Sequence, residues 1–80
     1  MKIRLRAFGI AKDILESSTK AIEDNHLKTT GDVKKYLTQN YPEFADLLTF
    51  SLAVHDEYQE DSYLLSENDE VIIIPPVSGG

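Results

Sequence analysis

Apolar and charged residues alternate from the first positions of the chain: Ile3, Leu5 and Ala7 are separated by Lys2, Arg4 and Arg6. A period of two sends successive side chains to opposite sides of an extended backbone, so this stretch predicts a strand with one buried face. The period then changes. In FGIAKDILES, Ile10, Ala11, Ile14 and Leu15 recur at helical spacing while Lys12, Asp13 and Glu16 fall outward, which predicts a helix of about two turns. STKAIEDN alternates weakly around Ile22 and predicts a poor strand at a sheet edge. A stronger helix follows, where Thr29 and Asp32 stand three apart ahead of an apolar stripe at Val33, Tyr36, Leu37 and Tyr41. The Thr29 hydroxyl can accept from an unpaired first-turn amide, and Asp32 sets negative charge at the positive end of the helix dipole. Pro42 keeps Tyr41 out of helical geometry and ends the element.

Beyond it, EFADLL brings Phe44, Leu47 and Leu48 into one further turn of helix. In FSLAVHDE, Phe50, Leu52 and Val54 alternate with Ser51, Ala53 and His55, predicting a strand that enters a polar turn at Asp56 and Glu57, with Tyr58 opening a return strand. Leu64 and Leu65 lie in the loop-forming SYLLSENDE. In EVIIIPP the residues Val71 to Ile74 are apolar on both faces, as in a central strand, although one of those faces is equally suited to a partner. This order of elements predicts an α+β fold with helices packed on one face of a mixed sheet.

Eighty residues, 41% of them hydrophobic, suffice for one small core. Fourteen acidic and eight basic residues give a net charge of −6. The average field repels phosphate backbones and anionic bilayers, which argues against nucleic acid and membrane and in favour of a basic protein surface as partner. With no cysteine, disulfides, thiolate metal sites and thiol nucleophiles are all excluded. MKIRLRAF lacks the apolar core of a signal peptide, and no 18 apolar residues run together, so a cytoplasmic location is expected.

His26 and His55 belong to different elements and read as a loop and a strand-end residue, not as metal ligands. Asp56, Glu57, Glu60, Asp61, Glu67, Asp69 and Glu70 lack the spacing and glycine of a calcium loop and read as solvated turn and docking charge. No phosphate-cradling glycine motif or nucleophile elbow occurs. Tyr36, Tyr41, Tyr58 and Tyr63 are spread over separate elements, as half-buried rims of a core.

What remains is PPVSGG, residues 75–80. Read as a tail on a domain of residues 1–74, it has a stiff base and a thin arm. Pro75 and Pro76 fix φ and remove two backbone donors, while Gly79 and Gly80 carry no Cβ to crowd a narrow tunnel. Six extended residues reach about 20 Å. A terminal carboxylate at Gly80 is a poor electrophile, so chemistry there needs outside activation, for instance as a mixed anhydride with AMP. The body is then a handle and the terminus a reagent for another protein's active site.

At these residues the chain resembles the small, sulfur-carrying subunits of molybdopterin synthase, members of the ubiquitin-like β-grasp sulfur carriers. The resemblance runs through FGIAKD, TTGDVKKYL, LAVHD and NDEVIIIPPVSGG, and the last block is the most specific. Lys12 and Asp13 stand where the family often has arginine and glutamate, and His55 where it often has asparagine. The resemblance implies a β-grasp fold whose first and last strands pair in parallel at the sheet centre. It also implies a cycle in which an adenylating partner uses ATP on the Gly80 carboxylate, a sulfur donor makes the thiocarboxylate, and the tail enters the large synthase subunit to sulfurate cyclic pyranopterin monophosphate. The carrier binds no cofactor, is not a catalyst by itself, and joins a heterotetramer of two large and two small subunits. Gly79 and Gly80 then carry the chemistry, with Pro75, Pro76, Val77 and Ser78 lining the way in. Phe8, Ile72 and Ile74 are the expected apolar docking face, with plain core packing as the alternative for these three. A ubiquitin-like protein modifier, a thiamine-pathway sulfur carrier and an interaction module with an inert tail remain the alternatives.

Overall fold

A computed structural model of the chain describes residues 1–47 and 50–75. Strand β1 (Lys2–Ala7) leads into helix α1 (Gly9–Leu15), then strand β2 (Thr19–Glu23) and helix α2 (Thr30–Asn40). A 3₁₀ helix (Pro42–Asp46) precedes strands β3 (Ser51–Val54), β4 (Glu57–Tyr58) and β5 (Glu70–Ile74). The five strands form one sheet in the order β2-β1-β5-β3-β4. β1 and β5 run parallel in its middle and the other neighbouring pairs are antiparallel. β2 is an edge strand, as its weak alternation predicts.

The core lies on one side of this sheet. Ile3, Leu5 and Ala7 of β1 meet Ile22, Leu52, Val54, Val71 and Ile73 there, and Ala11, Leu15, Val33, Leu37 and Phe44 close over them. Burying a side chain of this size contributes about 1.5–3 kcal/mol. The expected two-layer α+β arrangement is therefore present.

α2 begins on the capping box that the sequence predicts. The Asp32 amide donates to the Thr29 hydroxyl at 3.2 Å, and the Asp32 carboxylate accepts from the amides of Thr29 and Lys28, both at 3.0 Å. The remaining first-turn amides are met from the β4–β5 connection: Thr30 donates to Tyr63 O at 3.1 Å and Gly31 to Asp61 O at 2.8 Å. Backbones approach so closely that a Cβ on Gly31 would lie 3.0 Å from that same Asp61 oxygen.

Several local expectations are corrected. The segment after Pro42 is 3₁₀ and ends at Asp46; Phe44 is buried, Leu47 is extended, and Leu48 lies outside the described residues. The β3–β4 turn is His55–Asp56, not Asp56–Glu57, because Glu57 already pairs with Val54. Both turn residues have positive φ, +55° and +65°, as a two-residue hairpin turn matching the strand twist requires. Asn, Asp and His tolerate that region best among residues with a Cβ, so a histidine and an aspartate suit the two turn positions. Ile10 is 48% exposed, because α1 has seven residues and buries only Ala11 and Leu15, one turn apart. Ala53 is buried although it faces away from the helices, since Ile72 and Tyr58 flank it in neighbouring strands. Asp69 is not solvated turn charge: it is 8% exposed and accepts from the Ser66 amide at 2.7 Å.

Candidate functional site

β5 delivers the chain to Pro75, and its start is fixed by backbone bonds. The Asn68 amide donates to Lys2 O at 2.7 Å and the Arg4 amide to Asp69 O at 2.9 Å, locking the parallel register with β1. His55 Nε2 lies 3.4 Å from Asp69 Oδ1, joining the hairpin turn to the same point. β5 thus leaves the middle of the sheet in a defined direction. Pro75 is half-buried; Pro76, Val77, Ser78, Gly79 and Gly80 lie outside the described residues.

Around this root the sheet turns its other face outward. Ile72 and Ile74, at alternate positions from buried Val71 and Ile73, are half-buried there. The strand register lines up Thr19, Arg6, Ile72, Ala53 and Tyr58 in one row, with Ala21, Arg4 and Glu70 in the next. Phe8, 51% exposed, follows β1; continuing the parallel register by one residue sets it level with Ile74. Gly9, with φ +56°, turns the chain into α1 directly after it, in a region that an L side chain adopts only at a cost. Tyr58, 69% exposed and paired with Ala53, extends the apolar strip.

Of the predicted interface residues, the structure therefore brings Phe8, Ile72 and Ile74 together beside the root of the tail, and on the face away from the core. The expectation passes over Tyr58 and the arginines of β1. Arg4 and Arg6 are visible in the sequence only as the outward half of an alternation, and what gives them meaning is that β1 adjoins the strand feeding the tail. A shallow cup of about 350 Å³ is lined by Arg4, Arg6, Thr19, Ala21 and Glu70. The arginine side of this face has its own order: the Arg6 guanidinium stands 5.6 Å from the centre of the Phe8 ring and 3.8 Å from the Glu70 carboxylate.

The other candidates are placed apart from this face. His26 lies 3.2 Å from Asp24, whose carboxylate accepts the His26 amide and is held below its ordinary range chiefly by that bond. Asp61 pairs with Lys34 at 2.8 Å and Glu67 accepts from the Lys2 amide at 2.8 Å, so the acidic loop residues have separate structural partners. Among the described residues no group of three or more His, Asp or Glu is arranged to hold a metal ion, and no helix is long and apolar enough to cross a membrane.

Residues 5–80 match the ThiS family. The chain belongs to that family. It is 40% identical over 55 residues to the molybdopterin synthase sulfur carrier subunit of Dictyostelium discoideum, a match covering 65% of this chain and 64% of that protein. The chain thus spans just under two thirds of this relative. Against the Arabidopsis thaliana molybdopterin synthase sulfur carrier subunit it is 27% identical over 81 aligned positions, covering all of this chain and 84% of the relative. The fold matches the crystal structure of SAMP1 from Haloferax volcanii with TM-score 0.81 at 19% identity, each chain covered completely. It also matches a complex of subunits 1 and 2 of the molybdopterin-converting factor from Helicobacter pylori, with TM-score 0.68 at 24% identity and both chains covered completely. The ThiS-family chain therefore has the ubiquitin-like β-grasp fold, including the parallel pairing of first and last strands.

Proposed function

We propose that this ThiS-family protein is the sulfur-carrier subunit of a cytoplasmic molybdopterin synthase. The observation that carries the reading is the match to the Arabidopsis carrier over the whole chain, PPVSGG included. The geometry supports it, because the strand that leads to PPVSGG leaves the sheet centre beside an exposed apolar face.

In this reading an adenylating enzyme joins the Gly80 carboxylate to AMP, with pyrophosphate leaving ATP. A donor at the sulfide oxidation level then displaces AMP from the acyl carbon and leaves a thiocarboxylate. Glycine at the reacting position leaves that carbon uncrowded. A thiocarboxylate is ionised and nucleophilic near neutral pH, which gives a chain without cysteine a reactive sulfur of its own.

The sheet face bearing Phe8, Ile72 and Ile74 docks on the large synthase subunit, and Pro75, Pro76, Val77 and Ser78 span the distance to its active site. There the sulfur attacks cyclic pyranopterin monophosphate, and water returns the acyl group to a carboxylate. A dithiolene holds two sulfurs, so two carrier turnovers serve each product, in keeping with a heterotetramer of two large and two small subunits. ATP is consumed by the adenylating partner.

The test is reconstitution. The thiocarboxylated chain, mixed with the large subunit and cyclic pyranopterin monophosphate, is expected to yield the dithiolene product, whereas the unmodified chain yields none. A charged chain that transfers no sulfur but becomes linked through Gly80 to lysines of many proteins would instead identify a protein modifier and contradict the proposal.

A further inference from the structure

The chain is acidic as a whole, yet its exposed sheet face is not. Lys2, Arg4 and Arg6 lie on that face against Glu23 and Glu70, which leaves five basic and twelve acidic side chains for the rest of the molecule. The local sign is thus opposite to the average, and the average is what suggests a basic partner. A surface meeting this face encounters an apolar strip bordered along β1 by positive charge.

Arg6 stands out within the border. Its row neighbour is Ile72, at the middle of the apolar strip, so it stands directly against the apolar residues. The Phe8 ring beneath its guanidinium and Glu70 on one side restrict its rotamers, while 45% of the side chain stays open to solvent. At 3.8 Å and with both side chains well exposed, the Glu70 pair is a loose one that leaves donors free for an incoming group. An arginine held by an aromatic ring loses little freedom on binding, and its planar fork matches a carboxylate through two parallel hydrogen bonds.

We propose that Arg6 is the charged anchor of the docking face, and that the protein surface it meets presents a carboxylate set in an apolar patch. The inference rests on the docking role given to this face above. Phosphate-rich partners fit worse: Glu70 stands within the patch, and the molecule behind it repels polyanions. Charge pairing of this kind sets orientation and association rate, and a carboxylate enclosed at the centre of an interface also slows dissociation.

The experiment measures the affinity of the full chain for the large synthase subunit and for the adenylating enzyme from the same genome. Arg6→Ala is expected to weaken at least one of these complexes about tenfold or more, and Arg6→Glu to weaken it further. Arg6→Lys falls between wild type and Arg6→Ala, because charge is kept and the fork is lost. Wild-type binding weakens as salt rises from about 50 to about 500 mM, and the Arg6→Ala complex responds less. Lys28→Glu makes the same charge change as Arg6→Glu on another side of the molecule and keeps wild-type affinity.

Equal affinity of wild type and Arg6→Ala for both proteins overturns the inference and leaves the proposed function standing. So does a loss for Lys28→Glu as large as that for Arg6→Glu, which assigns the effect to net charge. Stronger Arg6-dependent binding to phosphatidylserine vesicles than to either protein also overturns it. Failure of the wild-type chain to bind either protein overturns both readings. Circular dichroism of Arg6→Ala, which only shortens an exposed side chain, separates loss of binding from loss of fold.

Discussion

Asp32 shows how much of the molecule turns on single side chains. One of its carboxylate oxygens accepts two backbone amides while its own amide completes the capping box, and those amide bonds hold the carboxyl below its ordinary value of 3.8. A carboxyl whose pKa is depressed by folding stabilises the folded state above its unfolded value, and that contribution is lost as the pH falls through the depressed one. Asp32→Asn keeps the shape without the charge and is expected to cost about 1 kcal/mol in urea unfolding near neutral pH. Wild type and variant should converge as the pH is taken well below 3.8. A gap that persists unchanged in acid would show that the carboxylate charge is not what holds the cap.

At the scale of elements, the β3–β4 hairpin carries conformational cost in a defined place. His55 and Asp56 both adopt positive φ, and glycine is favoured at the second position of such a turn. Asp56→Gly should therefore raise stability by about 0.5 kcal/mol, or about 2–4 °C in Tm. A lower Tm would mean that the Asp56 side chain supports the turn. Elements whose signals are local were legible in the sequence: the alternation of β1, the Thr29–Asp32 cap and the Pro42 stop each depend on residues within a few positions. Ile10 was misread because its apolar character fits the stripe of α1, while only two positions of so short a helix meet the core. Ala53 and Asp69 depend on residues far away in sequence, Ala53 on Ile72 of β5 and Asp69 on His55 of the hairpin turn. No periodicity in one segment reports such neighbours. The parallel pairing of β1 and β5 followed only from the family resemblance.

For the whole molecule the division of labour is spatial. One sheet face is closed by helices and supplies stability, and the other presents Phe8, Ile72, Ile74 and Tyr58 around the root of PPVSGG. Phe8 tests that division, because its ring is half exposed and lies outside the core cluster. Phe8→Ala is expected to change folding stability by no more than about 0.5 kcal/mol while lowering affinity for the large subunit about tenfold or more. A large loss of stability would return Phe8 to the core, and unchanged binding would move the docking face elsewhere. The candidate site was partly legible: PPVSGG and the three apolar residues could be named from sequence, whereas Arg6 acquires a role only when β1 is seen beside β5.

The central claim concerns the acyl group of Gly80, and mass spectrometry of the peptide ending there tests it most directly. The chain would be produced with its cognate adenylating enzyme, ATP and a sulfur source. The account predicts that this peptide gains the mass of one oxygen replaced by sulfur, and that the gain disappears when Gly80 is deleted. A peptide that keeps its plain carboxylate, under conditions that charge a sulfur carrier of known activity, would contradict it.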